Sequence, residues 1–178
     1  MSFVTNVFTQ EELEIIHKDL DERLRQPGWH TWERAKDKIS EASHAEAEYP
    51  HEQGSITFKY ITGEIKDLLR QVIMRIDPKT RGYDFTAFYQ VWDVGAATGM
   101  HDDTRYLYNA TFYLNKIWRP DDGGLYVYLD GAEYKVFVPE YNSCAYINQD
   151  KVEPHLVTPV TTNALEKRYT IHCKGALI

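Results

Sequence analysis

Three side chains stand out for what they can bind. His101-Asp102-Asp103 sets an imidazole and a carboxylate two positions apart, and His155 lies 52 positions beyond Asp103. In an extended chain alternate side chains share a face, so His101 and Asp103 project together and can grip adjacent positions on one cation. His155 falls at the start of another expected strand. These residue types also meet without a metal: 7 histidines and 27 acidic residues give many chance pairings, and a lone histidine is commonly a hydrogen-bonded core or surface residue.

Two histidines with one carboxylate are the facial set that holds non-heme Fe(II) and leaves three positions open. Arg168, 13 positions after His155 and on the neighbouring expected strand, suits a bidentate pair with the far carboxylate of a dicarboxylate ligand. Thr170 shares its face and offers a second hydrogen bond. Tyr113, within Thr111-Phe112-Tyr113-Leu114-Asn115, offers a third from the opposite wall. A buried arginine needs an anion, and a structural salt bridge to one of the many acidic residues would also provide it.

Elements that hold these residues can be read along the chain. Thr9 with Glu12 is a capping box, Phe8 is a possible staple, and Leu13, Ile16, Leu20 and Leu24 recur at helical spacing until Pro27-Gly28. A second helix is expected from about Gly63 to Ile76, ended by Asp77-Pro78. Between them, residues 28–54 are polar and irregular, with a weak helical stretch from Ala35 to Ala47, and read as a surface excursion or a flap over a site. The period then changes to two. Strands are expected at Phe85–Trp92, Asn109–Leu114, Leu125–Leu129, Glu133–Val138, Cys144–Asn148, Leu156–Val160 and Arg168–Cys173, with Asp130-Gly131 as a hairpin turn. Helices first and short strands after predict a mainly β fold, a sandwich or double-sheet barrel with the N-terminal helices packed outside. We expect one domain over 1–178, with 1–80 as helical support and flap and 81–178 as the β core.

Composition narrows the function classes. The chain has 178 residues, 43% of them hydrophobic and 26% charged, an ordinary globular balance. No apolar run approaches the ~20 residues of a membrane span. The start, Met1-Ser2-Phe3-Val4-Thr5-Asn6, lacks a basic segment followed by an apolar one, so no secretory signal is expected. Two cysteines, Cys144 and Cys173, make no disulfide scaffold, and a reducing, cytoplasmic setting is expected. The net charge of −7 disfavours a nucleic-acid partner.

Several segments carry a resemblance. Trp92-Asp93-Val94-Gly95 followed by Met100-His101-Asp102-Asp103 resembles the metal-binding segment of Fe(II)- and 2-oxoglutarate-dependent dioxygenases. Within them it is most similar to the prolyl 4-hydroxylase-like branch, which includes the hypoxia-inducible-factor prolyl hydroxylases. Phe112-Tyr113-Leu114-Asn115-Lys116-Ile117-Trp118 with Gly123-Gly124-Leu125 is similar to that branch's Tyr-Leu-Asn-x-x-Trp and Gly-Gly block. Glu153-Pro154-His155-Leu156-Val157 resembles its second-histidine segment, and Arg168-Tyr169-Thr170-Ile171 its arginine segment. The four keep the family order over roughly residues 85–173.

The resemblance implies a double-stranded β-helix, the jelly roll of cupin-like proteins. It implies His101, Asp103 and His155 as Fe(II) ligands, and Arg168 and Tyr113 as contacts to the C5 carboxylate of 2-oxoglutarate, with Thr170 and Tyr126 beside the co-substrate. Dioxygen and 2-oxoglutarate would be consumed, giving succinate and a hydroxylated C–H bond on a peptidyl proline, amino acid or small metabolite. Aspartate at position 103 argues for hydroxylation over halogenation, since halogenating relatives put a small residue there. The sequence departs from the pattern at Trp92, where many relatives place tyrosine. The longer His155–Arg168 gap, through Thr161 to Lys167, widens a turn and makes Lys167 a competing cation. The alternative function is a non-oxidative, metal-dependent binding protein or isomerase on the same fold.

Overall fold

A computed structural model describes residues 2–31, 54–103, 106–148 and 154–176. The weak helix expected over 35–47 lies outside the described residues.

Helix α1 (Gln10–Leu24) starts where its cap requires. The Thr9 hydroxyl accepts the Glu12 N–H, and the Glu12 carboxylate accepts the Thr9 N–H, closing the expected capping box. Leu13, Ile16 and Leu20 are buried, while Leu24, in the last turn, stays 40% exposed. Helix α2 (Glu64–Ile76) follows Gly63, whose φ of +66° favours glycine, and buries Ile65, Leu69, Val72 and Ile73.

Strands run β1 (Ser2–Thr5), β2 (His30–Thr31), β3 (Ile56–Ile61), β4 (Asp84–Trp92), β5 (Thr98–His101), β6 (Tyr108–Tyr113), β7 (Tyr126–Asp130), β8 (Glu133–Phe137), β9 (Ser143–Asn148), β10 (His155–Val157) and β11 (Arg168–Ala176). They form two sheets, in the orders β1-β9-β6-β11-β4-β3-β2 and β5-β10-β7-β8. Every pairing is antiparallel. From β4 onward the chain passes back and forth between the sheets, as a jelly roll does.

Alternation along the strands divides the molecule. On β11, Ile171 and Cys173 join Tyr89 of β4, Phe112 of β6 and the helical residues Ile16, Leu69 and Ile73 in one buried cluster on the outer face of the larger sheet. Arg168, Thr170 and His172 take the opposite face, toward the smaller sheet. There Trp92, Tyr113, Tyr126, Val157 and Val160 form a second cluster between the sheets. The Tyr89 hydroxyl ties the layers by donating to the Asp19 carboxylate of α1 (2.9 Å).

Four strands escaped the sequence reading. β1 and β3, from the expected helical support, join the larger sheet, with β2 beyond β3, and β5 carries His101. β1 and β2 are only 4 and 2 residues long, too short for a period of two to show. The hairpin turn is also displaced by one residue: Asp130 pairs with Glu133, so Gly131 and Ala132 make the turn, and the positive φ (+64°) falls on Gly131.

Glu12 both caps α1 and binds Arg75 of α2 (2.6 Å). The Arg75 hydrogen bond holds the Glu12 carboxyl below its ordinary value of 4.5. A depressed folded value stabilises above the unfolded one and is lost as pH falls through the folded one. Glu12→Gln is therefore expected to cost about 0.2–1 kcal/mol at pH 7, with the gap closing in acid. Urea melts of both proteins between neutral and acid pH measure it; a gap that persists in acid removes the ion pair as its cause.

Candidate metal centre and co-substrate pocket

His101 and His155 face each other because β5 and β10 pair with these two residues directly opposed. Their rings lie 4.3 Å apart between centroids. Asp103, just past the end of β5, brings its Oδ2 to 3.3 Å from His155 Nε2 and 4.0 Å from His101 Nε2. One donor atom from each of the three lies within 4.8 Å of the others, so residues distant in the chain converge. Asp102, between them, is exposed.

The surroundings prepare this set. His101 Nδ1 lies 2.8 Å from the Gly99 carbonyl, which can only accept, so Nδ1 carries the proton and Nε2 keeps its lone pair. Asn109 Nδ2 donates to Asp103 Oδ2. Tyr126 is buried and stacks on the His155 ring (4.9 Å, 15°). Burial opposes the Asp103 charge, but the His155 hydrogen bond and the nearby His172 and His101 outweigh it, and the carboxyl stays well below the usual range. Desolvation, then the neighbouring His155, pushes His101 down, keeping its ring neutral. Two imidazoles with an ionised carboxylate, and no thiolate, are a donor set suited to Fe(II).

Deeper between the sheets, Arg168 is 1% exposed. Among the described residues its Nε, Nη1 and Nη2 have no hydrogen-bond partner, and neither has the buried Tyr113 hydroxyl. The guanidinium lies over the Trp92 ring at 4.6 Å and the Tyr113 ring at 5.3 Å, cation–π contacts that offset part of its desolvation. Gly124 makes room for it: a Cβ there would meet Arg168 Cδ at 2.8 Å, and its φ is +58°. Trp118 donates to the Gly123 carbonyl (2.9 Å) and lies beside Gly124. A buried guanidinium and phenol with open donors fit the carboxylate of a dicarboxylic acid.

The competing cation is elsewhere: Lys167 is more than half exposed and pairs with Asp93 (2.6 Å). Thr170 is fully buried, but its hydroxyl donates to Gln90 Oε1 (3.0 Å) and accepts from Trp92 Nε1 (3.3 Å). On β4, Gln90 and Trp92 face inward, while Tyr89 joins the helical core. The sequence reading passed over Asn109, whose position opposite Lys174 on β11 shows only in the register. His172 stacks on Phe88 (5.2 Å, 12°) and its Nδ1 lies 3.2 Å from the Thr111 hydroxyl. Its buried Nε2 has no partner, and burial, then Lys174, pushes its pKa down to about 3.

Comparison with known proteins agrees with this geometry. Residues 86–173 match the model of the 2OG-Fe(II) oxygenase superfamily. No curated protein matches the chain. A Pseudomonas putida prolyl-4-hydroxylase is similar in structure, with TM-score 0.70 and 17% identity over 99% of this chain and 92% of that one. So is a Trichoplax adhaerens prolyl hydroxylase solved with a hypoxia-inducible-factor peptide fragment, with TM-score 0.73 and 14% identity over 98% of this chain and 82% of that one. The α-ketoglutarate-dependent epimerase SnoN of nogalamycin biosynthesis shares the fold at TM-score 0.66 and 10% identity, over 98% of this chain and 77% of that one. By the match over residues 86–173, the chain belongs to the 2OG-Fe(II) oxygenase superfamily, whose members use Fe(II), 2-oxoglutarate and dioxygen.

Proposed function

We propose that this 2-oxoglutarate-dependent dioxygenase hydroxylates an unactivated C–H bond of a peptidyl proline, an amino acid or a small metabolite. His101, Asp103 and His155 would hold Fe(II). Arg168 and Tyr113 would bind the C5 carboxylate of 2-oxoglutarate. The observation that carries the reading is the buried guanidinium whose three nitrogens have no hydrogen-bond partner among the described residues, linked to the converged triad through Tyr126, which stacks on His155. A metal-binding protein or isomerase without oxygen chemistry has no use for such a clamp. The same two cysteines, both free and buried, accord with a reducing, cytoplasmic setting. Among the described residues no helix is long and apolar enough to cross a membrane.

When bound, the iron with 2-oxoglutarate and dioxygen supplies the oxidising power, while 2-oxoglutarate loses CO2 to become succinate. The protein's residues supply position. Arg168 and Tyr113 would hold the far carboxylate of the diacid and so orient it. Trp92 and Trp118 wall the guanidinium from water, which strengthens its pull on a carboxylate. Gly99 and Asn109 orient the His101 and Asp103 donor atoms, and Tyr126 holds the His155 plane. Thr170, its hydroxyl engaged by Gln90 and Trp92, steadies the clamp's wall. The substrate class rests on similarity to proteins that are prolyl hydroxylases, among them one solved with a peptide fragment.

Arg168→Ala is expected to weaken 2-oxoglutarate binding by roughly 100-fold while leaving Fe(II) affinity within a few-fold, both read by titration under anaerobic conditions. Equal loss of both would assign Arg168 to folding instead. His155→Ala is expected to remove the weak visible charge-transfer band that Fe(II) and 2-oxoglutarate together give the wild type. Gly124→Ala, which crowds Arg168 Cδ, is expected to raise the KM for 2-oxoglutarate and to spare iron binding. A succinate-formation screen over proline peptides, free amino acids and alkylated nucleotides tests the substrate class; turnover with nucleotides alone would replace it.

A further inference from the structure

We propose that β8 is a self-docking edge, and that two copies of this chain join β8 to β8, antiparallel, about a twofold axis at Tyr134. Among the described residues β8 ends the four-stranded sheet and has β7 as its neighbour on one side only. It is exposed on both faces, Tyr134 by 66% and Val136 by 59%.

The hydrogen-bond pattern shows which backbone groups it presents. Leu129 N–H donates to the Pro154 carbonyl (3.0 Å) and Thr158 N–H to the Leu125 carbonyl (2.9 Å), so the odd residues of β7 face β10 with their backbone. The even ones, Tyr126, Tyr128 and Asp130, therefore face β8, where they pair with Phe137, Lys135 and Glu133. The amides and carbonyls of Tyr134 and Val136 are left pointing away from the sheet. An edge of this kind is a template for another strand.

Charge selects which strand. With Tyr134 opposite Tyr134 of the second copy, the outward backbone groups exchange both hydrogen bonds, and Glu133 stands directly opposite Lys135 of the second copy, twice. Within one copy Lys135 already reaches Glu133 (3.0 Å), so the four charges would close into one ring on the same face. Other registers fail. Centring on Glu133 or Lys135 sets like charges opposite and turns the wrong backbone groups outward. Centring on Val136 keeps the hydrogen bonds but loses both ion pairs. On the opposite face Tyr134 and Val136 extend the apolar surface of their cross-strand partners Leu129 and Val127, so the joined sheets would share one continuous stripe.

Sedimentation velocity over a concentration series tests this. The wild type is expected to shift with concentration from 20.8 kDa toward twice that mass. Lys135→Glu and Glu133→Lys are each expected to stay monomeric, since each opposes like charges. Mixed in equal amounts the two variants are expected to recover the dimer, because Glu133 and the new glutamate of one now face Lys135 and the new lysine of the other. That recovery separates a lost interface from a damaged hairpin. A wild type that stays at 20.8 kDa at every concentration overturns the proposal, as do variants that dimerise alone or a mixture that does not. An edge that takes an extended peptide in place of a second copy would show as the first of these.

Discussion

Arg168 is the constraint on which the site is built. A guanidinium cannot shed its charge, and taking it out of water costs several kcal/mol unless something replaces the hydration. Among the described residues the replacement is partial: two ring faces, Trp92 and Tyr113, and no carboxylate. An arginine placed for stability would have an acidic partner, and this chain has acids to spare, as the exposed Lys167–Asp93 and buried-end Arg119–Asp122 pairs show. Withholding one from Arg168 leaves the protein tuned to an anion it does not itself contain. Gly124, with no Cβ to collide with Cδ, and the short reach from β11 to the Tyr113 strand are concessions of the surrounding structure to that one side chain.

A period of two on a single strand separates stability from chemistry. β11 turns Ile171 and Cys173 to the helices and Arg168, Thr170 and His172 to the inner space. β4 does the same with Tyr89 against Gln90 and Trp92, and β6 with Phe112 against Tyr113 and Thr111. The helical layer therefore stiffens the three strands that carry the proposed co-substrate contacts without touching them. The smaller sheet needs no such backing, because its role is to set His155 opposite His101 across one ladder step, and an antiparallel register does that by itself.

This division explains what was legible in the sequence. His101, Asp103, His155, Arg168 and Tyr113 could be picked out because the motifs around them keep a family order, although their types alone also pair by chance among 7 histidines and 27 acidic residues. The helices could be read from Thr9, Glu12 and the apolar spacing. The short strands β1, β2 and β5 could not, since 2 to 4 residues cannot display a period. Asn109 and His172 were invisible for a different reason. Their significance comes from register, which sets Asn109 and Thr111 beside Lys174 and His172, and register is a property of paired strands rather than of either segment. Trp92 read as a departure from the pattern; its meaning appeared only when its ring was found under the guanidinium.

The inner face of the larger sheet changes character along its length, and this bears on what enters. Around Arg168 it is enclosed by Trp92, Tyr113 and Tyr126. Past Thr170 it becomes aromatic: His172 stacks on Phe88, Phe88 meets Phe58 and Tyr60 edge-on at 5.7 and 6.2 Å, and Phe58 meets His30 at 5.3 Å. The ring surface thus runs from beside the triad to β2 at the sheet's edge, and Tyr60 there is half exposed. Among the described residues the guanidinium end offers polar donors suited to a diacid, and the other end offers ring faces. The two reactants of the proposed reaction would therefore approach the triad from different chemical surroundings. Ring faces reward flat or puckered apolar groups through contact area and impose little hydrogen-bond selection, so this end of the site carries no sequence motif to read.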